Sequence, residues 1–103
     1  MIVEQRDYHV TTGKLPELLA IYAEGIEVQK EILGTFIGAF TTEVGELSTY
    51  THLWGYESFE ERLERRARLA ADPRWKPFLD RIQPLIHTQR NRILVPTSFS
   101  PLK

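Results

Sequence analysis

Two short runs of side chains, each spaced two residues apart, carry most of the chemistry this sequence can offer. Glu4, Arg6 and Tyr8 lie near the N-terminus, and His52, Trp54 and Tyr56 lie near the middle. In an extended strand, residues two apart share a face, so each run presents its three side chains together. A carboxylate, a guanidinium, a phenol, an imidazole and an indole on neighbouring strands can orient a small polar or aromatic ligand. His52 or Glu4 would then accept a proton and Arg6 would hold an anion. Glu4, Arg6 and His52 are therefore the candidate catalytic residues. Tyr8, Trp54 and Tyr56, with Asn91 and Arg92 from a later strand, are the candidate ligand contacts. The structural alternative is a buried Glu4–Arg6 ion pair in an aromatic core, because a buried charge demands a partner in any case.

Other chemistries find less support. His9, His52 and His87 fall on three strands, and three histidines can form an open zinc or iron site. Alternation turns His9 away from the face of Tyr8, and no His-x-His or Glu-x-x-His spacing occurs, so no metal site is expected. No cofactor is singled out. The chain has no cysteine, which excludes disulfides, thiolate metal sites and a thiol nucleophile. Nucleotide-binding glycine motifs, a serine nucleophile elbow and zinc-protease motifs are all missing.

Charge narrows the partners. With 13 Lys and Arg against 14 Asp and Glu, the formal net charge is −1. Nucleic-acid binding requires a basic surplus to displace counterions, so nucleic acid is not an expected partner, nor is an anionic membrane surface. The locally basic stretch from Arg62 to Arg68 is interleaved with Glu60, Glu61 and Glu64 and reads as a solvated helix face. No apolar run is long enough to span a bilayer. Met1-Ile2-Val3 leads straight into charged sequence, without the basic and apolar regions of a signal peptide. A cytoplasmic protein is expected.

The elements that must position these residues follow from periodicity. Strands are expected over 2–10, 35–44, 47–56 and 85–95, the middle two forming a hairpin around Val44-Gly45-Glu46. Leu15, Leu18, Leu19, Tyr22, Ile26 and Leu33 recur at helical spacing, with Pro16 in the first turn and Gly34 as the stop. Ser58 and Glu61 match a capping box for a charged helix with a buried stripe of Phe59, Leu63, Ala67 and Ala70. Glu61–Arg65 and Glu64–Arg68 are its i,i+4 pairs. Asp72-Pro73 reads as the cap and first residue of a short helix with an apolar face of Trp75, Phe78, Leu79 and Ile82, kinked at Pro77. The order β-α-β-β-α-β is that of a ferredoxin-like α+β fold, here one domain over 1–103. The expected sheet is antiparallel, in strand order 4-1-3-2, with the helices on one face.

The strands lack the clean apolar–polar alternation of a sheet with one wet face. Phe36 and Phe40 are expected to face one way, Ile37 and Ala39 the other. Leu47, Thr49, Thr51, Leu53 and Gly55 oppose the His52 set. Neither face looks polar enough for water, so the face away from the helices is expected to pack on a second copy of the chain.

Taken together, several segments resemble the NIPSNAP family. They are Glu4-Gln5-Arg6-Asp7-Tyr8 with Gly13-Lys14-Leu15-Pro16, then Gly38 through Leu47, then His52-Leu53-Trp54-Gly55-Tyr56-Glu57-Ser58. Asp72-Pro73-Arg74-Trp75, Asn91-Arg92-Ile93-Leu94 and Phe99-Ser100-Pro101 complete the series. Gln5, Gly55 and Pro77 depart from the family pattern. The resemblance implies a dimeric α/β-barrel fold, a superfamily that includes monooxygenases, isomerases and haem enzymes, and it names no reaction. The expected function is small-molecule binding or catalysis, with one pocket per subunit between sheet and helices. The competing expectation is a non-enzymatic homodimeric module that recognises proteins.

Overall fold

A computed structural model describes residues 1–103. The elements run β1 (Ile2–Val10), α1 (Leu15–Leu33), β2 (Thr35–Thr41), β3 (Thr49–Tyr56), α2 (Phe59–Ala71), α3 (Trp75–Ile82), a 3₁₀ turn (Gln83–Leu85) and β4 (Ile86–Leu94). All strand pairs are antiparallel and the order is β2-β3-β1-β4, as the sequence pattern implies. The two central strands, β1 and β3, carry the two chemical runs. Their register sets Arg6 opposite His52 and Glu4 opposite Trp54.

The hairpin arms are shorter than expected. β2 stops at Thr41 and β3 starts at Thr49, leaving a loop held by Ser48. Ser48 adopts a positive φ of 61° and its hydroxyl donates to the Val10 carbonyl at 2.8 Å. A bulge at Ile37 is the larger departure, since the register shifts between Phe36 and Gly38. An extra residue reverses the alternation beyond it. Phe36 therefore packs on Trp54 on the helix side, with ring centroids 4.7 Å apart, while Phe40 pairs with Thr51 on the other face and is exposed. The two phenylalanines do not face one way.

Helices α1 and α3 bury the sides their periodicity implies, with only Leu19 left exposed, and α2 alone turns the other way. In α1 the buried positions are Leu18, Ile21, Tyr22, Gln29, Ile32 and Leu33, and Gly25 lies on this same side. A Cβ there would come within 2.3 Å of the Phe78 ring, so glycine permits the close crossing of α1 and α3. At the end of α1, Gly34 takes φ +95°, a conformation that other residues reach only with strain. Helix α2 is capped as expected, the Ser58 hydroxyl accepting from the Glu61 N–H at 3.1 Å. Of its two expected side-chain pairs, Glu61–Arg65 forms at 2.6 Å and Glu64–Arg68 does not. Its expected apolar stripe is solvent-facing: Phe59 is 55% and Leu63 65% exposed, and Ala67 and Ala70 are exposed too. The side against the sheet holds Arg62, Arg65, Arg66 and Leu69 instead. A buried acid on the sheet requires guanidinium partners, and long arginine stems cover apolar surface as well as leucine does. The basic stretch is thus not simply a solvated face.

Helix α3 begins at Trp75, two residues later than the Asp72-Pro73 pair suggests. Asp72 instead accepts from the Arg74 N–H at 2.8 Å in a turn. Pro77 then falls in the first helical turn, where a missing N–H breaks no bond, and the expected kink has no cause.

The interior holds two separate apolar clusters on the helix side of the sheet. One contains Tyr8, Val10, Leu18, Tyr22, Tyr50, Phe78 and Ile82, among others. The second contains Ile32, Leu33, Trp54, Tyr56 and Leu69. Between Tyr50 and Trp54 on β3 lies His52, and before Tyr8 on β1 lie Arg6 and Glu4. A polar seam therefore divides the core.

The opposite sheet face is zoned. At one end the tail brings Val95, Pro96 and Leu102 over Val3, Leu53 and Leu94. At the other end Asp7, His9, Thr49, Thr51, Arg90 and Arg92 border a hollow of about 240 Å³ with no apolar lining residue. The charge on this face comes from Asp7 of β1, Glu46 of the β2–β3 loop, and Arg90 and Arg92 of β4.

Candidate functional site

Alternation on β1 and β3 places Glu4, Arg6, Tyr8, His52, Trp54 and Tyr56 on the helix-covered face, and all six are buried. Asn91 joins them from β4. Arg92, the next residue, points to the opposite face and borders the polar hollow there. Adjacent residues of a strand cannot serve one site, so Asn91 and Arg92 part company.

Glu4 is the hub, with 0% of its surface exposed. Its carboxylate accepts from Arg6 Nη1 at 3.0 Å, from Arg62 Nε at 3.1 Å and Nη2 at 2.8 Å, and from Asn91 Nδ2 at 3.1 Å. One residue of α2 and the two strands β1 and β4 thus converge on one acid, and the paired bonds from Arg62 match the fork geometry that arginine offers carboxylates. Burial alone would push the Glu4 carboxyl up. The Arg62 hydrogen bonds and the charges of Arg6, Arg62 and Arg66 outweigh it and hold the group below its ordinary 4.5. With four donor contacts already made, this carboxylate is an organiser and a poor proton acceptor.

His52 is likewise fully buried. Its Nδ1 lies 2.8 Å from Trp54 Nε1. An indole N–H can only donate, so Nδ1 accepts and the neutral ring carries its proton on Nε2. Burial first, then the charge of Arg6, lowers its pKa to about 3. His52 therefore presents an N–H donor near neutral pH, the reverse of the proton-accepting role that its residue type suggests. That N–H has no partner, and neither do the buried hydroxyls of Tyr22 and Tyr56. Around them Tyr8, Tyr22 and Tyr50 place their rings 5.0 to 5.9 Å from the imidazole. Arg6 also donates from Nε to the Tyr8 hydroxyl at 3.1 Å.

The remaining histidines stand apart. His9 and His87 approach each other, with ring centroids 6.0 Å apart. His9 lies on the other sheet face from His52 and contacts Glu46 at 3.6 Å. The three imidazoles do not converge.

Two members of the site escape a reading of single strands: Arg62 and Arg66. Both sit on α2 at i,i+4, and their only sequence signal was the local basic run. Ligation of Glu4 by Arg62 spans 58 positions, a separation that no local pattern reports.

The NIPSNAP family model matches residues 3–101. Among curated proteins, a NipSnap protein of Drosophila melanogaster is 34% identical over 97% of this chain. The chain spans about a third or less of the length of the first such relatives, 36% of that one and 19% of a putative NipSnap protein of Caenorhabditis elegans. Among solved structures, a NIPSNAP family protein of Agrobacterium tumefaciens is 50% identical with a TM-score of 0.97, covering 99% of this chain and 98% of its own. A second A. tumefaciens protein is 43% identical with a TM-score of 0.98 over the full length of both chains. An antibiotic biosynthesis monooxygenase, 7% identical with a TM-score of 0.66 over 94% of this chain and 99% of its own, shares the fold alone. The buried strands that carry Glu4 and His52 fall within the matched span, and this chain belongs to the NIPSNAP family.

Proposed function

We propose that this protein binds a small molecule at the polar seam between sheet and helices, one site per subunit of a cytoplasmic homodimer. The observation that carries this reading is the set of buried polar atoms left without partners, His52 Nε2, the Tyr56 and Tyr22 hydroxyls and Gln29 Oε1. Each such atom costs about 1–3 kcal/mol when unsatisfied, and a core with a purely structural role has no use for four of them. Binding is favoured over proton abstraction, because His52 offers a donor and the Glu4 carboxylate is already saturated. A thermal-shift screen with flavins, haem, quinones and small aromatic acids tests it. At least one class is expected to stabilise the protein, with the gain reduced in Tyr56→Phe and His52→Ala. Tyr56→Phe removes only an unpartnered hydroxyl, so its unliganded stability should stay within about 0.5 kcal/mol of the parent. A screen without any stabilisation, or gains equal in both variants, would reject the site.

Support for the dimer comes from the sheet face away from the helices. Phe40 and Leu94 are exposed on it, and Leu47 and Phe99 are exposed nearby, a distribution that suits a two-fold sheet-on-sheet contact. Sedimentation at micromolar concentration should return twice the mass of the chain, and a monomer would refute the assembly. The second reading, a module that recognises proteins, draws on the exposed Phe59 and Leu63 of α2. If ligand screening fails while Phe59→Ser abolishes a cellular role, that reading would take precedence.

A further inference from the structure

The polar seam is short of negative charge. We propose that it holds the anionic group of a small organic ligand, a carboxylate, between β1, β3 and α2; this rests on the small-molecule site proposed above.

The charges facing the seam can be named element by element. Strand β1 contributes Glu4 and Arg6, and α2 contributes Arg62 and Arg66, all four within electrostatic reach of one another. The groups from α1, β3 and β4 are neutral: Gln29, His52, Tyr56 and Asn91. Asp7 lies on the other sheet face, where its carboxylate accepts from the Thr51 hydroxyl at 2.7 Å and from Gln5 at 3.2 Å. One acid therefore stands against three guanidiniums. Arg6 and Arg62 both reach Glu4, which leaves Arg66 with no acid of its own. Burial, and after it the charge of Arg6, pulls the Arg66 pKa down, the response of a cation that lacks a counterion.

Of the four unpartnered atoms, Gln29 Oε1 is an acceptor, and the two nearest the guanidiniums have the polarity that matches an anion. The His52 Nε2–H can only donate, and the Tyr56 hydroxyl, held near Arg62 and Arg66, is free to do so. Water could satisfy these two groups but would leave the excess positive charge. An anion answers both needs at once, since it brings acceptors and charge together. The seam runs between two apolar clusters rich in aromatic rings, so a ligand with a carbon body gains burial there that an inorganic ion does not.

Calorimetric titration at constant ionic strength with benzoate and its neutral isostere benzamide tests the proposal. Benzoate is expected to bind at least tenfold more tightly than benzamide. Arg66→Gln should erase the difference, Arg66→Lys should restore part of it, and Tyr56→Phe should weaken both compounds. Equal affinity of the two compounds, or a difference that survives in Arg66→Gln, would overturn the anionic assignment. Phosphate displacing benzoate at lower concentration would overturn the choice of a carboxylate. If benzamide or a neutral screening compound binds in a Tyr56-dependent manner without preference for charge, only the inference fails and the small-molecule site stands. If no compound binds in a Tyr56-dependent manner, both fail.

Discussion

Replacement of Glu4 by alanine is expected to destabilise the protein by about 3–5 kcal/mol, the cost of leaving buried guanidiniums without their counterion. Arg6, Arg62 and Asn91 all donate to this one carboxylate, so a single truncation removes a hub. The loss should be smaller in an Arg62→Met background, because the charge that would be orphaned is then partly gone. Urea unfolding of the four proteins of this double-mutant cycle measures it, and a cost below 1 kcal/mol for Glu4→Ala would show that the network is stabilised elsewhere. Acid should act in the same direction. The Glu4 pKa is depressed in the folded state, so its contribution is present above about 4.5 and lost as pH falls further. His52 is also depressed, from 6.5 to about 3, and the unfolded chain binds the extra proton across that interval. Stability should therefore fall between pH 6.5 and 3, with a slope approaching about 1.4 kcal/mol per pH unit from His52 alone. His52→Phe should flatten the upper part of this profile, above pH 4.5. An unchanged slope there would mean that other groups set the acid response.

The second large effect should come from Trp54, which is fully buried between the polar seam and the second apolar cluster. Trp54→Ala removes the ring that packs on Phe36 and is expected to cost about 3–5 kcal/mol. Trp54→Phe separates packing from hydrogen bonding. It keeps much of the volume but withdraws the N–H that donates to His52 Nδ1, so about 1–3 kcal/mol should be lost from the unsatisfied nitrogen. The imidazole would also lose the contact that fixes its tautomer. Nitrogen chemical shifts of His52 should then report a mixture of tautomers in Trp54→Phe and only the Nε2–H form in the parent. A parent protein showing the Nδ1–H form would contradict the donor assignment on which the ligand site depends.

Period-two alternation made the pairing of Glu4, Arg6 and Tyr8 legible, and likewise that of His52, Trp54 and Tyr56, because a strand leaves little choice of face. Element order then sufficed to bring those strands together. The same local logic failed where a tertiary demand outweighed it. On α2, apolar periodicity pointed to Phe59 and Leu63, yet the need of buried Glu4 for Arg62 rotated the helix the other way. In β2, one extra residue at Ile37 separated Phe36 from Phe40, and bulges leave no signature in composition. Asn91 and Arg92 are neighbours in sequence, and the same alternation that sorts β1 and β3 sends them to opposite faces. The role of His52 was hidden for a different reason: its donor character depends on Trp54, and residue type alone suggests a base.

The position of β1 has a consequence for how the chain reaches its final form. β1 is made before both of its flanking partners, β3 and β4. The Glu4–Asn91 bond joins positions 87 apart. Such long-range closure is entropically slow, and until β4 emerges Glu4 and Arg6 lie along an open edge with their set of partners incomplete. The acid hub can therefore form in full only after β4 has been made, which makes it a late, cooperative lock on this domain, and a chain interrupted before position 91 would keep that edge available for wrong pairings.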